Sequence, residues 1–124
     1  MPNTPALVHS GISVLVATEE TSAAQRSQAE TLLQSVGKAI WIEDEALMDS
    51  VTAVSGSGPA YFFLLIELIQ KAGIRLGLPS KLAETLAVET AVGAAKLAQQ
   101  SPDTPSELRQ KVTSPQGTTD AALN

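Results

Sequence analysis

Ser57-Gly58-Pro59-Ala60-Tyr61-Phe62-Phe63-Leu64-Leu65-Ile66-Glu67-Leu68-Ile69-Gln70-Lys71-Ala72-Gly73-Ile74-Arg75-Leu76 is the stretch on which the fold turns. Ser57 can cap a helix. Pro59 is tolerated in the first turn of that helix, where its missing N–H has no helical partner. From Tyr61 to Leu76 the pattern spells a helix that is apolar on almost every side, and such helices are buried; the Tyr61–Phe63 cluster reads as core. The continuous apolar run 59–66 stops at Glu67, well short of the roughly 20 residues a bilayer span needs, so no membrane is expected as a partner. Ser55-Gly56-Ser57-Gly58 could pass for a phosphate loop, but position 61 is Tyr where GxGxxG needs glycine, and the segment follows a helix. It reads as a kink where one helix meets the next.

Beyond this helix, Gly77-Leu78-Pro79-Ser80 forms a break, with Ser80 as the cap of the next helix. That helix, Lys81 to Gln100, carries Ala83, Ala87, Ala91, Ala94, Ala95 and Ala98. One side is almost without side chains, which lets a neighbouring helix approach to the short end of about 8–10 Å. Ser106 to Val112 reads as a short helix, Thr113 to Thr119 as a loop, and Asp120 as the start of another helix. Before the deciding stretch, Asp44 can cap a helix bearing Ala46, Leu47, Met48, Val51 and Val54. Further back the texture is different. Ala6 to Ala17, with His9 in it, reads as one strand or two short ones built on β-branched residues. Ser22 and Gln25 form a capping box, helical spacing runs to Val36, and Gly37 is a C′ stop. Lys38 to Ile42 is a second strand. Residues 6–43 thus spell strand, helix, strand, too little for a domain and suited to the tail of a larger α/β unit.

Composition narrows the function. The 124 residues include 8 Lys+Arg, 13 Asp+Glu, one His and no Cys, with 44% hydrophobic residues. There is no disulfide framework, thiolate metal site or cysteine nucleophile. One His all but removes a Ser-His-Asp triad or multi-His zinc site, so no metal is expected. A net charge of −5 argues against a nucleic-acid partner. The charge is uneven: residues 1–50 hold −5 and residues 51–124 are neutral, which suggests a boundary near residue 45. No basic n-region followed by an apolar stretch opens the chain, so no signal peptide is expected.

The best chemical candidate is Ser114-Pro115-Gln116-Gly117-Thr118-Thr119. Gly117 permits φ > 0, and the hydroxyl-rich residues run into a helix start, whose unpaired N–H groups suit a carboxylate or phosphate. The plainer reading is an ordinary capped loop. His9, without acidic or His neighbours, reads as structural. The acids from Glu43 to Asp49 read as a solvated helix start.

Five stretches in register change this balance: Met1-Pro2-Asn3-Thr4-Pro5-Ala6-Leu7-Val8, Val54-Ser55-Gly56-Ser57-Gly58-Pro59-Ala60-Tyr61, Gly77-Leu78-Pro79, Gly93-Ala94-Ala95-Lys96 and Val112-Thr113-Ser114-Pro115-Gln116-Gly117-Thr118-Thr119. In order and spacing they resemble the middle and C-terminal part of pyrroline-5-carboxylate reductases. That family's N-terminal nucleotide-binding portion, with its glycine-rich fingerprint, has no counterpart in these residues. Nor has the helical stretch that usually follows the last motif.

The resemblance implies a mostly α fold. Residues 1–45 would be the last strand-helix-strand of a Rossmann domain, and residues 46–124 most of an all-helical dimerisation and substrate-binding domain. It implies NADPH- or NADH-dependent reduction of 1-pyrroline-5-carboxylate to L-proline in the cytoplasm, by a homodimer that can assemble into larger rings. The cofactor would be bound mainly by the N-terminal domain, so this piece alone would be inactive. Ser114, Gly117 and Thr118 would hold the substrate carboxylate, and Thr119 would direct its hydroxyl to the ring nitrogen. Asn3, Thr4 and Pro5 would lie beside the nicotinamide. Gln116 departs from the pattern, since the family usually has the first of two glycines there. If that residue needs φ > 0, Gln costs about 1 kcal/mol or more; at negative φ it is harmless. Two alternatives remain: a reductase of the same two-domain plan acting on another small imino or hydroxy acid, and a non-catalytic helical dimerisation module.

Overall fold

Two facing glycines decide how the first strands pair. In a computed structural model, which describes residues 1–115 and 117–123, β1 (Gly11–Leu15) runs parallel to β2 (Gly37–Trp41), with Gly11 opposite Gly37. Gly37 has φ 153°, and a Cβ there would stand 2.0 Å from the Gly11 carbonyl oxygen. Gly37 therefore opens a strand rather than closing the preceding helix. That helix, α1 (Ala23–Gln34), ends on Ser35. Its start is the expected capping box: the Gln25 N–H donates to Ser22 Oγ at 3.3 Å, and the Ser22 N–H to Gln25 Oε1 at 2.9 Å.

The strand expected from Ala6 begins only at Gly11. Residues Thr4–Val8 wind into a 3-10 helix led by Pro5 and closed by His9 in the left-handed region, φ 55°. His9 is thus a turn residue, not a strand residue, and its Nδ1 lies 3.0 Å from the Ser35 carbonyl. Met1 and Val14 exchange both backbone hydrogen bonds, at 2.8 and 2.9 Å. That reciprocal pattern belongs to antiparallel pairing. Ser13, Val14 and Leu15 are buried.

Asp44 caps the next segment as expected, accepting from the Ala46 N–H at 2.9 Å. The segment is irregular: a 3-10 turn Glu45–Leu47, a single α turn α2 (Met48–Val51), and a π turn Thr52–Gly56 closed by Ser57 N–H to Thr52 O at 2.9 Å. Helix α3 (Gly58–Arg75) follows. Pro59 explains the irregularity. It cannot donate to the carbonyl four residues back, Ser55, and its ring crowds that carbonyl out of line.

The backbone divides into two compact units, residues 1–65 and residues 66–124. In the second, Gly77 adopts φ 96° at the break after α3, and α4 (Ser80–Gln100) starts at Ser80 with Pro79 in the cap position and no side-chain cap bond. The expected Ser80 cap is therefore one residue displaced, because Pro79, extended and without an N–H, already ends the turn. Small residues do bring the helices together: a Cβ on Gly73 would meet that of Ala83 at 3.3 Å, and Ala83 and Ala87 are buried. Helix α5 (Pro105–Lys111) has a second capping box, Thr104 with Glu107, and α6 spans Thr118–Leu123.

One expectation fails within the single chain. Tyr61, Phe62 and Phe63 are 63, 64 and 63% exposed, and Leu64, Leu65 and Leu68 are more than half exposed. Among the described residues no large side chain is fully buried. An all-round apolar helix needs neighbours on all sides, and one chain of this size does not supply them. The helical run Glu45–Arg75 is long and apolar enough by composition to cross a bilayer, although a proline and the charges Glu67, Lys71 and Arg75 punctuate it.

Candidate active site

A hollow lies in the first unit, where the Met1–Leu7 segment meets the π turn. It has a volume of about 580 Å³ and is lined by Met1, Asn3, Thr4, Leu7, Thr52 and Gly56 among others. Its walls follow from local chemistry. The prolines at 2 and 5 hold the segment open and turn it into the 3-10 helix. On the opposite wall, the hydroxyls of Thr52 and Ser55 donate back to Met48 O at 2.8 Å and Val51 O at 3.0 Å. Such bonds bend helices. Gly56 keeps the wall low: a Cβ there would meet Thr52 Cγ2 at 3.4 Å and Met1 Sδ at 3.7 Å.

Asn3 ties the two walls together. Its Nδ2 donates to the Ser55 carbonyl at 3.1 Å, and its Oδ1 accepts from the Ile12 N–H at 2.9 Å. Only one orientation of the amide serves both partners. Thr4 lines the hollow and Pro5 stands behind it as the residue that starts the 3-10 turn. So Asn3 and Thr4 are brought together with Gly56, read from the sequence as part of a kink, and with Thr52, which sequence reasoning did not single out. The signal for them was the proline four residues after Ser55.

Ser114, Gly117, Thr118 and Thr119 belong to the second unit. The Gly117 N–H donates to the Ser114 carbonyl at 2.9 Å, and the Ala121 N–H to Gly117 O at 3.1 Å. A Cβ on Gly117 would lie 3.0 Å from the Ser114 carbonyl oxygen, a close approach that glycine leaves room for. Thr118 opens α6 and Thr119 is exposed in its first turn. Gln116, whose backbone angle decides the effect of its departure from the family pattern, lies outside the described residues.

A second hollow in the first unit, of about 360 Å³, is lined by Ala17, Arg26, Trp41, Ile42 and Glu43. Arg26 stacks over Trp41 at 5.5 Å, and Trp41 Nε1 donates to Glu30 at 3.2 Å. These contacts fasten α1 to β2. In the second unit an apolar hollow of about 310 Å³ lies between α3 and α4, at Ile69, Gly73, Leu78, Ala83, Leu86 and Thr90.

A parallel strand-helix-strand that runs through a kinked turn into long helices with outward apolar sides defines a class: a helical dimerisation domain with an α/β lead-in. Residues 45–124 match the model of pyrroline-5-carboxylate reductase dimerisation, and the chain belongs to that family. A pyrroline-5-carboxylate reductase of Pseudomonas aeruginosa is 56% identical over 123 residues, 99% of this chain and 45% of that protein. One from Pisum sativum is 44% identical over 128 residues, covering all of this chain and 45% of the relative. Among solved structures, a Coxiella burnetii pyrroline-5-carboxylate reductase superposes with a TM-score of 0.91 at 43% identity, over 99% of this chain and 46% of that one. A Plasmodium falciparum pyrroline carboxylate reductase, solved with NADP bound, gives 0.92 at 32% identity over 99% and 50%. The chain spans about half the length of the relatives it matches.

Proposed function

We propose that this chain is the C-terminal half of a pyrroline-5-carboxylate reductase, divided into an α/β remnant at residues 1–45 and a helical domain at 46–124. The whole enzyme reduces the C=N bond of 1-pyrroline-5-carboxylate to give L-proline. The observation that carries the reading is the family match over 45–124, on a chain whose long helices leave their apolar sides uncovered. A second copy is the partner that covers them, as a homodimer open to ring assembly. The reading makes it a soluble, cytoplasmic enzyme.

The hollow beside Asn3 and Thr4 fits the flat ring end of a nicotinamide dinucleotide, uncharged in its reduced form: its lining is mostly apolar. Nothing in these residues matches a glycine-rich phosphate loop, so the dinucleotide's phosphates, and the choice between NADPH and NADH, belong to the other half. When bound, the nicotinamide supplies a hydride. The protein's part is positioning, which can account for much of the barrier by holding reactants in line. Ser114, Gly117 and Thr118 hold the substrate carboxylate chiefly through backbone N–H groups, the Gly117 N–H exchanging its bond to the Ser114 carbonyl for the substrate, and Thr119 presents its hydroxyl to the ring nitrogen. These roles rest on the family resemblance.

The test is a fusion of this chain to the preceding part of the Pseudomonas aeruginosa relative. Oxidation of NADPH that depends on 1-pyrroline-5-carboxylate supports the reading. A folded fusion without that activity refutes it. The chain alone, mixed with NADPH, should show neither fluorescence change nor thermal stabilisation; binding would place the cofactor site wholly within these residues and overturn the division proposed.

A further inference from the structure

We propose that Asn3 is a positioning residue, whose side-chain amide holds the Met1–Ala6 segment against the π turn by taking the one carbonyl that Pro59 sets free. The inference rests on the reading of the adjoining hollow as the place of reduction, and it gives Asn3 a role different from cofactor contact.

The argument starts from the helix. In a regular α-helix the Ser55 carbonyl would accept from the N–H of residue 59. Residue 59 is proline and has none. The next donor along, the Ala60 N–H, is already given to the Ser57 carbonyl at 3.0 Å. A part-buried carbonyl without a partner is costly. Asn3 Nδ2 meets it at 3.1 Å across 52 residues of sequence. The other end of the same amide accepts the Ile12 N–H, at 2.9 Å, where β1 begins. One short, stiff side chain thus joins β1, the loop and the π turn, and both of its hydrogen-bonding ends are used inside the protein. The two walls of the hollow, Met1–Leu7 and Thr52–Gly56, are set apart by the length of that amide.

Two substitutions separate the arms. Asn3→Asp keeps an acceptor for Ile12 and removes the donor to Ser55. Pro59→Ala restores an N–H four residues after Ser55, so the helix can satisfy that carbonyl and Asn3 loses its partner. In the fusion enzyme, Asn3→Asp should lower kcat by about 10- to 100-fold, with KM for substrate changed less than about threefold and Tm lowered by only a few degrees as Ser55 loses its donor. Pro59→Ala should lower kcat in the same sense, and the double variant should be no worse than the more severe single one, because both act through one carbonyl. In the chain itself, hydrogen exchange at the Ile12 amide should quicken about tenfold or more in Asn3→Ala and stay slow in Asn3→Asp. Full additivity of the two variants, or an Asn3→Asp enzyme with normal kcat and a lowered Tm, overturns the positioning role. Unaltered Ile12 exchange in Asn3→Ala overturns the bridge itself. An inactive wild-type fusion whose Ile12 exchange behaves as expected refutes the functional reading and supports the bridge.

Discussion

Thr119 and Gly37 show how differently single residues can matter in this chain. Thr119 is exposed in the first turn of α6, so burial places no demand on it. If its hydroxyl serves the substrate nitrogen, Thr119→Val in the fusion enzyme should lower kcat/KM roughly tenfold to a hundredfold, since a hydrogen bond to a charged group contributes about 1.5–3 kcal/mol. A urea melt of the same variant should move little. If the residue is only an exposed first-turn position of α6, the kinetics stay and stability changes by less than about 0.5 kcal/mol. Gly37 is the opposite case, with no chemistry and no freedom. A methyl group there would sit 2.0 Å from the Gly11 carbonyl oxygen, at φ 153°. Gly37→Ala should destabilise by about 3 kcal/mol or more, seen as a lower midpoint in denaturant. A shift under 1 kcal/mol by that measure would mean that the strands reseat easily. The glycine itself was visible in the sequence. Its reason was not, because a helix stop and a strand crossing use the same residue for different purposes.

At the scale of elements, capping was the most legible feature. Ser22 and Asp44 behave as local chemistry demands, since a cap involves only residues within one turn, whereas Ser57, expected to cap α3, has helical backbone at φ −81° and ψ −24° where a cap is extended. The box at α5 adds a pH dependence. Asp103 lies below its ordinary carboxylate pKa because it accepts from Lys111 Nζ, at 2.6 Å, and from Ser101. Glu107 is lowered by the backbone N–H and then the hydroxyl of Thr104. Both folded pKa values are depressed, so their contribution to α5 is fully present above the unfolded values of about 3.9 and 4.3 and is lost as pH falls through the lower folded ones. Carboxylate NMR titration should put both midpoints below that range, with the Thr104 amide shift following Glu107. Ordinary midpoints would show that the cap is frayed in solution. The misread elements had one distant cause, the Asn3 link, and otherwise neighbouring prolines. Ala6–Val8 has strand-like residues, but Pro5 and the Asn3 link bend them into a 3-10 turn. Ser80 lost its cap role to the extended Pro79.

For the whole molecule, the surface area decides. The chain exposes 9371 Å², against about 6,300 Å² for a folded monomer of this mass. Over two chains that excess is roughly 6,000 Å², above the 2,000–5,000 Å² or so that obligate dimer interfaces commonly bury in total, and much of the exposed apolar surface is on α3. We expect a homodimer in light scattering at micromolar concentration; a stable folded monomer there refutes it. Ala91→Leu or Ala95→Leu should weaken assembly by about 1–3 kcal/mol through overpacking, read as a concentration-dependent shift of the dimer boundary in ultracentrifugation. What the sequence determined by itself was local and periodic: the strand-helix-strand opening, the long apolar and alanine-rich helices, the caps, and the five motifs that place the chain in its family. Hydrogen bonds over three or four residues and side-chain periods are written in consecutive positions, so they need no knowledge of the rest. The tertiary structure alone decided that Asn3 spans 52 residues to Ser55, that Gly37 faces Gly11, and that the helix spelled as core is left uncovered. Those depend on which distant groups meet, and on how much apolar surface one chain of 124 residues can hide.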